Sequence, residues 1–221
     1  MYWKLFGASA TTVAVFLTQT SLAHAQATSR FCSGQAGETP GPACLVAHQD
    51  VGALPEGPIY WSIYTFADVA LAERFRPSKG IVVQAFSKVW LFNVGGKGQE
   101  LKAGHHVADV GPLPLDAMQG NFSVEYLKST FVPGMTAPVH VHSGPEAFYA
   151  ISGGSCLETP DGVQVARGEG HSLLVRRGPP MLLMAIGSQP RQGFALILHS
   201  EGSPPTTLVS DWSPKGLCPT E

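Results

Sequence analysis

The chain has 221 residues, 44% of them hydrophobic, and a formal net charge of −2. This is enough apolar sequence for one good core, while the weak charge and the lack of any lysine- or arginine-rich run argue against nucleic-acid binding. The 25 glycines and 18 prolines exceed average usage. With so high an apolar content, many short strands joined by turns explain them better than disorder.

Residues 1–25 have the pattern of a secretory signal peptide. A basic start that includes Lys4 precedes a charge-free apolar run at 5–17, and the tripeptide AHA at 23–25 offers a cleavage site. An ordinary buried helix is the alternative, but it would lack a polar face. No later segment approaches the ~18 apolar residues of a membrane span. The sequence therefore predicts a secreted or periplasmic protein without a membrane span.

The four cysteines are Cys32, Cys44, Cys156 and Cys218. An even number in an exported chain favours disulfides, and three pairings are compatible with the sequence. We favour Cys32–Cys44, which closes a loop rich in glycine and proline, and Cys156–Cys218, which would pin the C-terminal tail. For Cys156 the alternative is a small buried hydrophobic residue beside a turn.

The N-terminal half divides into a lead-in segment and an α/β extension. Residues 26–56 show little periodicity, and we interpret them as a lead-in tied by the first disulfide. Residues 57–113 form the predicted extension, which packs on the following barrel. It contains one helix at 66–76, with Thr65 as its cap and Pro77 as its stop. Its predicted strands lie at 58–64 and 81–94.

Residues 114–203 consist of strands in quick succession. Short apolar segments alternate with turns such as SGP, TPDG and RGEG. Near-even spacing of this kind is typical of a β-sandwich or β-barrel. A proline-rich tail follows at 204–221, and no internal repeat is evident. The predicted strands lie at 138–142, 146–152, 156–158, 163–166, 172–175, 181–186 and 193–200.

The segment GMTAPVHVHSGPEAFYAISG at 134–153 carries the strongest functional signal. His140 and His142 project from the same face of a strand, because residues two apart share a face. The SGP turn then lets the chain double back and bring Glu146 beside the two imidazoles. Two histidines and one carboxylate are typical of a mononuclear metal site with open coordination positions.

This segment resembles the first signature motif of the cupin superfamily, G-x5-H-x-H-x3-E-x6-G. The five fixed positions are filled by Gly134, His140, His142, Glu146 and Gly153. The resemblance implies a mainly β protein, an antiparallel β-barrel of jelly-roll type with a metal or ligand pocket at its centre. It also implies a small-molecule ligand and one divalent transition metal, which is iron, manganese, zinc, nickel or copper. A homodimer is compatible with it.

The second cupin motif, G-x5-P-x-G-x2-H-x3-N, is matched less completely. The favoured alignment opens at Gly170 and puts Gly178 at the central glycine. Arg176 then stands in place of the proline, Met181 in place of the last metal-binding histidine, and Ala185 in place of the asparagine.

A competing alignment begins at Gly162 and puts Leu173 in the histidine position. On the favoured alignment, Met181 offers a thioether, a soft ligand suited to copper(I), although a core-filling methionine is the commoner role. Three arrangements stay open: a three-ligand centre, a centre with methionine as fourth ligand, and a metal-free pocket.

The pocket wall is predicted from strand alternation. Phe148 and Ala150 share the face of Glu146, and Leu183 and His199 complete a weaker set. These side chains would make the pocket partly apolar.

The function predicted from these residues is that of an exported cupin-domain protein with a mononuclear metal site. The resemblance allows dioxygenase, isomerase, decarboxylase and hydrolase chemistry, with dioxygenase-like oxidation of an oxygen-bearing small molecule as one reading. No side chain is identifiable as a general acid or base, so the sequence leaves open whether the protein is an enzyme. The alternatives are a metal-free barrel that binds or senses a small molecule, and a dimerising structural protein of the cell envelope.

Overall fold

The computed structural model describes residues 31–32 and 42–221, and within them the protein is mainly β. The predicted signal peptide lies outside the described residues. Every pairing between the named strands is antiparallel. The elements are β1 Ala43–Ala53, β2 Tyr60–Phe66, α1 Val69–Phe75, β3 Gly80–Ala85, β4 Lys88–Gly95, β5 His105–Val110, β6 Asn121–Phe131, β7 His140–His142, β8 Glu146–Ser152, β9 Gly154–Thr159, β10 Gly162–Arg167, β11 Ser172–Val175, β12 Leu182–Ile186, β13 Arg191–Ser200 and β14 Thr206–Leu208.

The central sheet has five strands in the order β1-β6-β13-β8-β11 and is covered on both faces. Along β13, Phe194 and Leu196 point to one face, while Ala195 and Ile197 point to the other, and all four are buried. A strand covered on both sides needs apolar residues at successive positions. This explains the unbroken apolar run FALIL in β13.

One face of the central sheet packs against a four-stranded sheet in the order β3-β4-β2-β5. The contact is an aromatic cluster with ring centroids 5.0 to 6.1 Å apart. Aromatic pairs of this kind add about 0.5–1.5 kcal/mol each beyond the area they bury. On the outer face of the four-stranded sheet, Ala72 of α1 packs against Tyr64, Phe66 and Leu91. The aromatic cluster comprises Trp61, Trp90, Phe92, Tyr126 and Phe194.

The other face of the central sheet packs against a three-stranded sheet in the order β10-β9-β12. Phe148 and Leu173 from the central sheet meet Leu157 and Leu183 from the three-stranded sheet. A two-stranded ribbon, β14-β7, is linked to this layer because His140 pairs with Met181 at the start of β12. The described strands form these separate sheets rather than one continuous hydrogen-bonded ring.

The lead-in and tail differ from the predicted boundaries. Ala43–Ala53 falls in the predicted lead-in, yet it forms β1 and pairs with β6 along the edge of the central sheet. Thr206–Leu208 falls in the predicted tail, yet it forms β14 and pairs with β7. Both segments therefore belong to the sheets that surround the candidate site.

Two local predictions in the α/β extension are corrected. The predicted single strand at 81–94 is a hairpin, because Phe86 and Ser87 both have positive φ, at 50° and 58°, and turn the chain between β3 and β4. The helix begins at Val69, and Asp68 caps it by accepting a hydrogen bond from the backbone N–H of Leu71 at 2.8 Å.

The favoured disulfide pairing is confirmed: Cys32 is bonded to Cys44, and Cys156 to Cys218. The Cys156–Cys218 bond and Glu158 both attach the C-terminal tail to β9. Glu158 is 1% exposed, and its carboxylate accepts hydrogen bonds from the backbone N–H groups of residues 215 and 217. Among the described residues, no helix is long and apolar enough to cross a membrane.

Candidate metal centre

The predicted ligands converge between the central sheet and the ribbon. His140 and His142 lie on β7 and Glu146 begins β8, and their exposed fractions are 9%, 4% and 5%. Each residue offers one ligand atom, and these atoms all lie within 4.8 Å of one another. The two imidazole rings are 4.6 Å apart and nearly perpendicular, at 81°. The structure thus brings together the three side chains that the sequence singled out.

Two glycines position these ligands for steric reasons. A Cβ on Gly144, in the turn between β7 and β8, would lie 1.8 Å from the carbonyl oxygen of Leu198, so only glycine allows the turn to sit against β13. Gly153 ends the motif with φ of +70°, and a Cβ there would lie 2.6 Å from the carbonyl oxygen of Pro190. These close approaches hold β8, and with it Glu146, against the central sheet.

Backbone carbonyls fix the tautomers of both histidines. Nδ1 of His140 lies 2.6 Å from the carbonyl oxygen of Pro138, and Nδ1 of His142 lies 3.0 Å from that of Pro205. A carbonyl oxygen only accepts, so each Nδ1–H is the donor and each Nε2 faces the site. Metal-binding histidines are usually held in this way.

The contact between His142 and Glu146 is the kind expected of two side chains that bind the same metal ion. Nε2 of His142 lies 2.9 Å from Oε2 of Glu146, yet the two atoms do not have the alignment of a hydrogen bond, and both are buried. Two buried acceptors this close need a proton or a cation between them, because unpaired buried charge is costly. The donor set therefore fits a metal ion.

Met181 lies beside this site. Its backbone N–H donates to the carbonyl oxygen of His140 at 2.9 Å, and the N–H of His140 donates back at 3.3 Å. Residues directly opposite in an antiparallel pair project to the same face. Met181, the residue of the alignment that opens at Gly170, therefore pairs directly with a predicted ligand, whereas Leu173 of the competing alignment lies on β11 and pairs with Phe148 of β8.

The motif residues thus meet between packed antiparallel sheets, as the resemblance implied. The predicted mainly β class is confirmed by the strand content of the described residues, and these strands form the separate packed sheets given above.

No protein-family model and no curated protein matches the chain. Solved structures similar to parts of it include an oxalate oxidase, a cupin superfamily protein from Desulfitobacterium hafniense and a DMSP lyase from Ruegeria pomeroyi. Their identities are 21%, 12% and 16%, and their TM-scores 0.34, 0.32 and 0.34. The alignments cover 39%, 35% and 42% of this chain, and 46%, 68% and 45% of those chains. The chain thus spans less than half of the oxalate oxidase and the DMSP lyase.

The pKa values of the two histidines in this site are shifted by burial and by neighbouring charges. Burial lowers the pKa of His140, and the neighbouring His142 lowers it further. Burial alone would also lower the pKa of His142, but the carboxylate of Glu146 more than offsets this and raises it. The raised pKa of His142 favours its protonated form, and a metal competes with that proton for Nε2.

The predicted wall residues divide into two sets. Phe148 and Leu183 are 4% and 6% exposed and pack in one apolar cluster with Met181. Ala150 is also buried, at 6%, farther along β8. His199, in contrast, belongs to a different group of side chains, with its ring 6.5 Å from that of His48.

Sequence reasoning missed Arg191, which is 1% exposed on β13. Its Nε donates to Ser155 at 2.9 Å, its Nη1 donates to Ser129, and its guanidinium lies 5.8 Å and 5.5 Å from the ring centroids of Phe131 and Phe148. Within the described residues, Nη2 has no hydrogen-bond partner. Burial lowers the pKa of Arg191 to about 10, against the opposing effect of Glu146. The signal in the sequence was an arginine at the start of a strand whose central run, FALIL, is apolar.

Proposed function

We propose that the protein is an exported cupin-type protein that binds one divalent transition metal through His140, His142 and Glu146 and acts on a small oxygen-bearing molecule. The observation that carries this proposal is the 2.9 Å approach of two buried acceptor atoms, Nε2 of His142 and Oε2 of Glu146, without hydrogen-bond alignment. Iron, manganese, zinc and nickel are all compatible with this donor set.

Each side chain has a defined task in this proposal. The two imidazoles, fixed through Nδ1, present Nε2 to the ion, and Glu146 supplies the negative charge. The apolar side chains of Phe148 and Leu183 limit the access of water from the side of the three-stranded sheet. A metal held there supplies Lewis-acid chemistry at a coordinated substrate oxygen.

Arg191 supports an anionic substrate class. Its guanidinium is buried, charged at neutral pH and close enough to Glu146 for their charges to interact, and its Nη2 keeps unused donor capacity within the described chain. A buried donor without a partner is costly, and the carboxylate or enolate oxygen of a ligand would satisfy it. We therefore propose a small anionic substrate.

The test is metal analysis of protein recovered from the periplasm or medium, stripped with a chelator and reloaded. His142→Ala and Glu146→Gln should each lose one equivalent of metal relative to wild type, while the exposed His171→Ala should lose none. Glu146→Gln keeps the shape of the side chain, so a loss of metal with an unchanged circular dichroism spectrum reports on charge rather than on folding. Equal metal content in all four proteins would refute the proposal.

A metal-free binding barrel is the second candidate, and Met181 favours it. On the alignment that opens at Gly170, the fourth ligand position of the cupin pattern is taken by Met181, a fully buried thioether, which is a poor ligand for iron(II), manganese or zinc. If reloaded wild-type protein holds no metal at this site but still binds small organic anions in a manner that depends on Arg191, this second function replaces the first.

Export is supported by the two disulfides. Bonds of this kind persist in oxidising compartments. Fractionation of cells that express the full chain should place the protein outside the cytosol with 1–25 removed. A chain that lacks 1–25 should stay inside, and retention of the full-length chain in the cytosol would contradict export.

A further inference from the structure

A second group of side chains on the central sheet has the composition of a metal site. His48 on β1 lies directly opposite Glu125 on β6, and His199 on β13 lies opposite Ser123, two positions along from Glu125. Directly opposite residues and residues two apart share a face, so all three point to the same side of the sheet. Each offers one ligand atom, and these atoms all lie within 4.8 Å of one another.

The buried member of this group is held in the way that a ligand is held. His199 is 4% exposed, and its Nδ1 lies 3.1 Å from the carbonyl oxygen of Ser200, so Nδ1–H is the donor. Nε2 is therefore an acceptor, it is buried, and it has no hydrogen-bond partner within the described residues. A buried acceptor without a donor is costly, and a cation bound in this group would satisfy it.

The exposed member is oriented by a second carboxylate. The side chain of His48 is 42% exposed, and its Nε2 lies 3.5 Å from Oδ1 of Asp50. Asp50 is in turn fixed by a hydrogen bond from Ser123 at 2.7 Å. A carboxylate beside a ligating imidazole is the usual outer support of a metal site. The exposure of His48 gives an ion a route from solvent.

We propose that His48, Glu125 and His199 form a second binding site for a divalent transition cation, separate from the site of His140, His142 and Glu146. Two imidazoles and a carboxylate suit zinc and its neighbours in the first transition row. Solvent and a ligand would complete the coordination from the side of His48.

We assign one ion to each group rather than a dinuclear cluster, because the ligand atoms of each group converge among themselves. Glu125 and Glu146 both lie opposite Ile197, so two strand spacings separate them. At 4.7–4.9 Å per spacing, their Cα atoms are about 10 Å apart. Ions of a two-metal catalytic site lie only about 3.5–4 Å apart. The backbone thus places the two carboxylates on strands that are not neighbours, although the charge of Glu125 still acts on His142 of the first group.

The test is the zinc stoichiometry of the full exported protein, measured by equilibrium dialysis and elemental analysis. Wild type should bind two equivalents, His48→Ala and His142→Ala one each, and the double variant none. The exposed His105→Ala, which lies outside both groups, is the matched control and should keep two. In the His142→Ala background, Glu125→Gln should weaken the remaining site at least tenfold, because loss of an outer partner of a ligand alone typically costs about 10–100-fold in affinity.

The outcomes separate this proposal from the proposed function. The second site is supported if one equivalent of zinc is lost in His48→Ala and kept in His142→Ala. This conclusion does not depend on whether the first site binds metal. Two equivalents retained in His48→Ala, or one equivalent in wild type that only His142→Ala removes, would overturn it. Cobalt(II) absorption in the His142→Ala variant gives a separate readout, since bands that disappear with Glu125→Gln report coordination by that carboxylate. Because His48 is exposed and Glu125→Gln conserves shape, both variants should fold, which melting curves will verify.

Discussion

Replacement of Met181 by leucine separates a role in packing from a role in metal ligation. The side chain is fully buried and lies in the cluster that contains Leu157 and Leu183. Met181→Leu conserves volume and should lower the free energy of unfolding by less than about 1.5 kcal/mol. Met181→Ala leaves a cavity in the same cluster and should cost about 2–5 kcal/mol.

The effect on metal binding can be given as a shift in melting temperature. Zinc at one hundred times its dissociation constant stabilises the folded state by about 2.7 kcal/mol. For a domain of this size, each kcal/mol moves the melting temperature by about 2–4 °C. The expected shift is therefore roughly 5–11 °C, and Met181→Leu should keep it if the first site uses only His140, His142 and Glu146.

The assay is thermal unfolding with and without zinc in a His48→Ala background, which removes the second proposed site. Leu183→Met is the matched control, because it places a thioether at a neighbouring position of the same cluster. Loss of the zinc-induced shift in Met181→Leu but not in Leu183→Met would show that the thioether is a ligand and would refute the packing role. Repetition with copper(I) tests the one metal for which a thioether is a strong ligand.

Three further predictions concern the stability of the fold, and each is measured by urea unfolding. Glu158→Gln should lower the free energy of unfolding by about 1.5–3 kcal/mol, because one backbone N–H of the tail loses its charged acceptor; an unchanged midpoint would show that the tail is held by its disulfide alone. Ser87→Gly should raise it by about 0.5–1 kcal/mol, since glycine adopts the positive φ of this turn without strain, and a destabilised variant would contradict this. Replacement of both Cys156 and Cys218 by alanine should lower the free energy of unfolding by about 4 kcal/mol, because the unfolded chain is then no longer constrained by a loop with a sequence separation of 62. A loss under 1 kcal/mol would mean that the tail stays ordered in the unfolded chain.

The strand content and the first site could be predicted because their signals are local. The motif places His140, His142 and Glu146 within seven residues, and strand alternation with one turn is enough to bring them together. The hairpin between β3 and β4 could not be predicted in this way. Its turn residues are Phe86 and Ser87, which give none of the glycine or asparagine signal of such turns. Phe86 is retained at this position by packing against Phe194, with ring centroids 5.2 Å apart.

The second group escaped sequence reasoning because its members are far apart in the chain. His48 lies in a segment that was expected to be a lead-in, since the polar residues of β1 mask its strand pattern. Only the pairing order of the central sheet places β1, β6 and β13 side by side, and no local pattern encodes that order. The available signal was weaker: Glu125 and His199 are polar residues at positions where the alternation of their strands points toward the core.

The distribution of polar residues on the central sheet fits both proposed metal sites. One face of this sheet buries a large apolar cluster against the four-stranded sheet, whereas the other carries His48, Glu125, Glu146 and His199 beside a smaller apolar cluster. A core of this size gains stability from apolar residues at every such position, and buried polar atoms without partners lower it. Local departures from good packing are expected where a site needs them. The price of three buried acceptors, on His142, Glu146 and His199, is offset when cations bind, so metal removal should destabilise the protein far more than the loss of any one exposed side chain.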